Sequence, residues 1–182
     1  DFRVAYEMSA LVPDIGPQYG GNAGAVVGAN FATGDRYATC LINGIVRAPA
    51  TVLSSTELTC VMPTLPIGQV EVAISMNGAD YATRRINYTS IAIPEIFEAF
   101  PSSMPVGETT EVEIGGFQLD SDVRFCVFGA IRVPVRVQSS RLLFCDAPRS
   151  NVPGVVPLIL ETGLGFPTAN SFNFTYYPGV SV

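Results

Sequence analysis

Apolar and polar positions alternate with period two through much of this chain. In residues 1–9, Phe2, Val4, Tyr6 and Met8 share one side, and Arg3, Ala5, Glu7 and Ser9 the other. That is the pattern of a half-buried strand. Val70, Val72, Ile74 and Met76 alternate in the same way with Gln69, Glu71, Ala73 and Ser75, which predicts a strand with one wet face. No window sustains a helical period. Turn signals separate the short strands: the glycine-rich stretch 20–24, then Asn43-Gly44 and Asn77-Gly78. Asn-Gly supplies the positive φ that a tight hairpin turn requires. Short strands at regular spacing with such turns between them predict an all-β sandwich architecture.

The pattern occurs twice. The stretch Ser54-Ser55-Thr56-Glu57-Leu58-Thr59-Cys60-Val61-Met62-Pro63 is answered by Ser139-Ser140-Arg141-Leu142-Leu143-Phe144-Cys145-Asp146-Ala147-Pro148. Each copy is a Ser-Ser turn, an apolar strand with one cysteine, and a proline that stops it. Each has a cysteine upstream, Cys40 or Cys126, at separations of 20 and 19 residues. Val70, Val72 and Ile74 are answered by Val156, Leu158 and Leu160, and the closing strand 85–89 by 171–176. Two domains follow, 10–90 and 91–178, with 179–182 the start of a linker or a further strand. Residues 1–9 resemble the closing strands, because each closing segment precedes a proline, as in Val12-Pro13, Ile93-Pro94 and Tyr177-Pro178. They are expected to complete a preceding or neighbouring domain, as an orphan strand. The interface candidates are therefore Phe2, Val4, Tyr6 and Met8, offered to another sheet edge.

Composition narrows the class. Hydrophobic residues make up 48% and charged residues only 14%, against roughly 25% charged in ordinary soluble domains. Such a surface needs other cover, from glycans or from neighbouring domains. Formal net charge is −6, with no His and no Trp, and the positive residues, all Arg, form no cluster. A nucleic-acid partner is excluded on that ground, since counterion displacement needs clustered cations. The uncharged run 15–34 is too glycine-rich and polar to insert in a membrane. Four cysteines shared evenly between the repeats suggest an oxidising compartment.

The proline start, the Gly28-Ala29-Asn30-Phe31 turn, the Ser-Ser-x-x-Leu-x-Cys-x-x-Pro stretch and the aromatic closing strand together resemble tandem IPT/TIG domains. The resemblance covers nearly the whole chain, and the cysteine spacing is similar to the extracellular type found in plexins. Domain two departs from it in having Gly115-Gly116-Phe117 where domain one has Gly-x-Asn-Phe. The resemblance implies immunoglobulin-like sandwiches with binding or structural work and no catalysis, hence no enzyme activity and no cofactor.

One bridge within each repeat is expected, Cys40–Cys60 and Cys126–Cys145. The alternative use, a zinc site, lacks Cys-x-x-Cys pairs and any His. The sequons Asn87-Tyr88-Thr89 and Asn173-Phe174-Thr175 occupy matching closing strands. Alternation points both asparagines outward, where an N-glycan needs them. On domain two, Val155, Pro157 and Ile159 fall where domain one has Gln69, Glu71 and Ala73. They form an apolar strip that suggests a contact, and Pro157 suggests a sheet edge or a bulge. The acidic run Glu108, Glu111, Glu113, Asp120 and Asp122 is expected to lack a nearby positive partner; oxygen ligands from two loops suit calcium, but no calcium-loop spacing is present. Tyr19, Tyr37 and Tyr177 are too scattered for a sugar-binding platform.

The function expected is a structural extracellular glycoprotein, a subunit of a filamentous surface assembly joined head-to-tail through β-strand contacts. Its partners are copies of itself or adjacent domains of a longer chain. The alternative is the stalk or ligand-binding segment of a plexin-like receptor ectodomain.

Overall fold

The computed structural model describes residues 5–34 and 36–179. They divide into two units, the first ending at Ile91 and the second beginning at Ala92. All regular elements among the described residues are strands.

Domain one contains β1 (Glu7–Val12), β2 (Ile15–Pro17), β3 (Ala23–Ala29), β4 (Thr39–Ile42), β5 (Val46–Ser54), β6 (Glu57–Val61), β7 (Gly68–Ser75) and β8 (Ile86–Ile91), hydrogen-bonded in the order β1-β3-β6-β5-β4-β7-β8-β2. Strand β5 belongs to both layers of the sandwich. Its first half pairs with β4 as far as Pro49, and its second half pairs with β6 from Ala50. Pro49 stands where the strand leaves one ladder for the other, a place where a missing N–H costs little. The two layers close on a core that includes Val26 and Leu58 from one side and Ile42, Val72 and Tyr88 from the other.

Domain two repeats this plan with β9 (Glu95–Phe100), β10 (Ser103–Pro105), β11 (Thr110–Phe117), β12 (Val123–Phe128), β13 (Ile131–Ser139), β14 (Leu142–Ala147), β15 (Gly154–Thr162) and β16 (Phe172–Tyr177), in the order β10-β16-β15-β12-β13-β14-β11-β9. Strand β13 changes layers between Pro134, paired with Phe125, and Val135, paired with Cys145. At the centre, Phe174 meets Phe128 edge-on at 5.1 Å and Tyr176 at 5.4 Å, geometries that aromatic quadrupoles favour.

The described part of residues 1–9 belongs to domain one, which corrects the expectation of an orphan closing strand. Strand β1 pairs antiparallel with β3, Met8 opposite Gly28 and Leu11 opposite Val26. Phe2 and Val4 lie outside the described residues. The chain then turns at a cis Val12–Pro13 bond, and β2 joins the second layer parallel to β8. In domain two, β9 pairs with β11, a cis Phe100–Pro101 bond follows, and β10 runs parallel to β16. The counterpart of Val12-Pro13 is thus Phe100-Pro101, and Ile93-Pro94 precedes the opening strand.

A β-bulge concealed this equivalence. The register shifts between Met8 and Ala10, leaving Ser9 unpaired with β3, so Met8 and Leu11 both face the core. Domain two shifts likewise around Phe97, and Ile96 and Ala99 both face inward. One extra residue converts an alternating pattern into two inward positions three apart.

The glycine turn is corrected in the same way. Gly28 donates to the Thr56 carbonyl and Phe31 to that of Ser55; Gly116 donates to Arg141 and Leu119 to Ser140. Asn30 and Gln118 both have positive φ, 61° and 55°. Domain two therefore keeps the turn's geometry in Gly116-Phe117-Gln118-Leu119, with Gln118 and Leu119 standing where domain one has Asn30 and Phe31. A Cβ on Gly28 would strike the Glu7 carbonyl oxygen, and one on Gly116 that of Glu95. Each glycine lets a bulged opening strand approach.

Candidate functional site

Strands β4 and β6 lie in opposite layers, and the structure joins them through Cys40 and Cys60, with Cα atoms 6.2 Å apart. Cys126 on β12 joins Cys145 on β14 at 6.5 Å. All four cysteines are fully buried. Each bridge spans the layer-switching strand, β5 or β13, and so fastens the two layers where the chain crosses between them. Closing a loop of this size stabilises by roughly 3 kcal/mol in the chain-entropy model.

Met8 serves the interior of domain one and Tyr6 packs half-buried against it, a further correction. Met8 is 1% exposed, and Tyr6 packs against the same core. The Tyr6 hydroxyl donates to the Asp80 carbonyl at 2.9 Å. Burial pushes that hydroxyl above its ordinary pKa, the Met76 backbone pulling the other way. The loop holding Asp80 is organised by Asn77, whose Oδ1 accepts the Ala79 and Asp80 N–H groups. The closing strand begins beyond this loop, at Ile86.

The exposed asparagines sit on matched ladders. Asn87 lies opposite Glu71, and Asn173 opposite Pro157, in each case facing outward beside a buried aromatic residue, Tyr88 or Phe174. The buried Tyr88 hydroxyl is satisfied by the Asn22 amide at 3.0 Å. Burial raises its pKa and this hydrogen bond lowers it, with burial the larger. Burial likewise raises Tyr176, whose hydroxyl donates to the Pro148 carbonyl at 2.9 Å.

Val155 is 61% exposed, Pro157 is exposed and Ile159 is half-buried. The apolar strip is therefore a real surface feature. It is not at an edge: β15 runs between β16 and β12. Pro157 is accommodated differently. Strand β12 ends with Phe128 opposite Leu158, and beyond it the Gly129 N–H donates to the Pro157 carbonyl at 2.8 Å. In an antiparallel strand a residue's N–H and C=O point to the same side. The missing N–H of Pro157 thus faces the turn after β12, past the end of that ladder. In domain one Ala73, expected on the wet face, is fully buried with Ser75.

Two members of the acidic run have positive partners, Glu111 through strand pairing and Asp122 through Arg124 two residues on. Arg136 on β13 reaches both carboxylate oxygens of Asp146 at 3.1 Å and also pairs with Glu111. Register places these groups together, since Glu111 lies opposite Asp146. The hydrogen bonds from Arg136 hold the Asp146 carboxyl below its usual range, and the two acids push the guanidinium higher still. Arg124 pairs with Asp122 at 2.6 Å. Among the described residues no cluster of three or more His, Cys, Asp or Glu is placed to hold a metal.

Residues 7–90 and 94–176 each match the IPT/TIG domain family. Human Plexin-A3 is 26% identical over 186 residues, covering 93% of this chain and 10% of that protein. Rat Plexin-A3 is 25% identical over 180 residues, with coverage of 93% and 10%. The chain thus spans about one tenth of the length of these relatives. The solved full extracellular region of Plexin A4, domains 1 to 10, is 18% identical and aligns with a TM-score of 0.49 over 96% of this chain and 16% of that one. Two disulfide-braced sandwiches of one plan, each matched to one family over nearly its full length, make this chain a member of the IPT/TIG family with two tandem domains.

Proposed function

We propose that this chain is a non-catalytic segment of the extracellular part of a plexin-like receptor, two modules in series that space or present neighbouring domains. One observation carries the proposal: the relation to Plexin-A3 runs across both domains, through 93% of the chain, rather than through one common module. Two further features support it. The inter-layer disulfides suit an oxidising exterior. The matched, outward Asn87 and Asn173 suit N-glycosylation.

Head-to-tail filament assembly rests on low charge, the matched sequons, the apolar strip and an orphan opening strand. With Glu7–Val12 paired to β3 inside domain one, the orphan strand is lost, and the remaining features suit the receptor segment equally. An antibody raised against these residues should label intact, unpermeabilised source cells. Labelling that appears only after permeabilisation would overturn the extracellular reading. A monodisperse monomer in sedimentation is expected of the isolated pair of domains, and helical or linear polymers would restore the filament.

A further inference from the structure

We infer that the two sequons carry glycans with different tasks, and that the glycan on Asn173 is the cover of the apolar strip Val155–Pro157–Ile159. The proposal rests on the extracellular reading only for the presence of a glycan. Strands β15 and β16 place Asn173 directly opposite Pro157, with Phe172 opposite Leu158 and Thr175 opposite Val155. The Pro157 carbonyl is directed to Gly129. Toward β16, therefore, Pro157 and Asn173 form the non-hydrogen-bonded kind of pair, in which the two Cα atoms approach to about 4.5 Å and the side chains lie closest. Val155 and Ile159 are the diagonal neighbours of Asn173, at about 7–8 Å. A sugar linked to the Asn173 amide emerges over all three. The apolar faces of its rings meet aliphatic carbon and its hydroxyls meet water.

Domain one is the internal comparison. Asn87 lies opposite Glu71 in the same kind of pair, because the Glu71 carbonyl accepts from Asn43. The positions answering Val155 and Pro157 are Gln69 and Glu71, both exposed and polar. That surface needs no cover. On domain two the strip remains apolar while the sequon beside it is kept in register, and an exposed strip without cover invites association.

The test uses the whole chain secreted from a eukaryotic cell line, with site occupancy read by mass spectrometry. Asn173→Gln is expected to bind a hydrophobic dye severalfold more strongly than the wild type and to sediment as dimers and larger species. Asn87→Gln is expected to stay monomeric. Adding Val155→Gln and Pro157→Glu to Asn173→Gln, which installs the polar pair of domain one, is expected to restore the monomer. Should Asn173→Gln fail to be secreted, a glycosidase that strips the folded Asn87→Gln protein, where Asn173 is the one remaining sequon, gives the same comparison. The inference is overturned if stripped or Asn173→Gln protein stays monomeric without added dye binding, or if the polar pair leaves association unchanged. A glycan missing from Asn173 alone overturns it too. Glycans missing from both sites count against the extracellular reading as well.

Discussion

Asn43 satisfies both backbone groups of Glu71: its N–H donates to the Glu71 carbonyl at 2.8 Å, and its Oδ1 accepts the Glu71 N–H at 3.0 Å. It does so from a left-handed conformation, with φ of 50°, followed by Gly44 at 70°. In domain two Gly129, with φ of 63°, stands in the place of Asn43, and Pro157 in that of Glu71. The backbone donation survives. The side-chain acceptor is gone, and so is the N–H it served. Asn43→Ala should lower the stability of domain one by about 1–3 kcal/mol, from left-handed strain and one lost hydrogen bond. Asn43→Gly should cost less, because it keeps the conformation. Urea denaturation of domain one checks both, and equal losses would show that conformation is not the larger effect.

The opening strands hang on two glycines. Gly28→Ala drives a methyl group into the Glu7 carbonyl and the Phe31 ring, and Gly116→Ala into the Glu95 carbonyl and Leu119. Backbone cannot yield as a side-chain tip can. A destabilisation of roughly 2 kcal/mol or more is expected for each, with hydrogen exchange fastest in β1 or β9. An unchanged denaturation midpoint would mean that the bulged strand approaches less closely than described.

How these parts appear in the linear order depends on their physics. The Ser-Ser turns and the paired cysteines are legible because the same stretch recurs at matching spacing, and the buried Tyr88 and Phe174 because their strands keep a two-residue period. Residues 1–9 read as an unbroken alternation ending at Met8, and the bulge at Ser9, matched at Phe97 in β9, carries the core face on to Leu11 where period two does not lead. Gln118 hid the second glycine turn because Gln is an unusual residue at positive φ. Arg136 joins Glu111 and Asp146 only through strand pairing, across residues far apart in sequence. Pro157 points to an edge or a bulge because it needs a site without a ladder bond. That site proved to be the end of β12 rather than the rim of the sheet.

Each disulfide should stabilise its own domain. Cys40→Ala with Cys60→Ala should cost domain one roughly 2–5 kcal/mol, and Cys126→Ala with Cys145→Ala a similar amount in domain two. Near-equal loop lengths, 20 and 19 residues, argue for near-equal losses. Denaturation of each pair of variants, followed domain by domain, provides the check. A loss shared by both domains would show that the domains fold as one unit.

The ion pairs on the outer face of domain two are expected to matter little. The Arg136, Glu111 and Asp146 side chains are each more than half exposed, at 52%, 59% and 61%. Exposed pairs are screened by water and salt and contribute little. Arg136→Gln should shift the thermal midpoint only slightly, and by less in high salt. A large loss that persists in high salt would give Arg136 a packing role instead.

Alkaline pH should act on both domains through buried tyrosines. Burial raises Tyr6 and Tyr88 in domain one and Tyr176 in domain two. An unfolded tyrosine loses its proton near pH 10. Above that pH the folded state holds more protons than the unfolded state, so stability falls as pH rises. The contribution is complete below the unfolded pKa and is lost as pH climbs through the raised folded values. Denaturation midpoints should therefore be flat with respect to these groups up to about pH 10 and then decline. Replacing Tyr88 by Phe leaves the Asn22 amide without its partner, which costs stability at neutral pH, but it removes one titrating group. The alkaline decline of domain one should become shallower in that variant. A decline of unchanged steepness would mean that Tyr88 ionises in the folded domain as readily as in the unfolded chain.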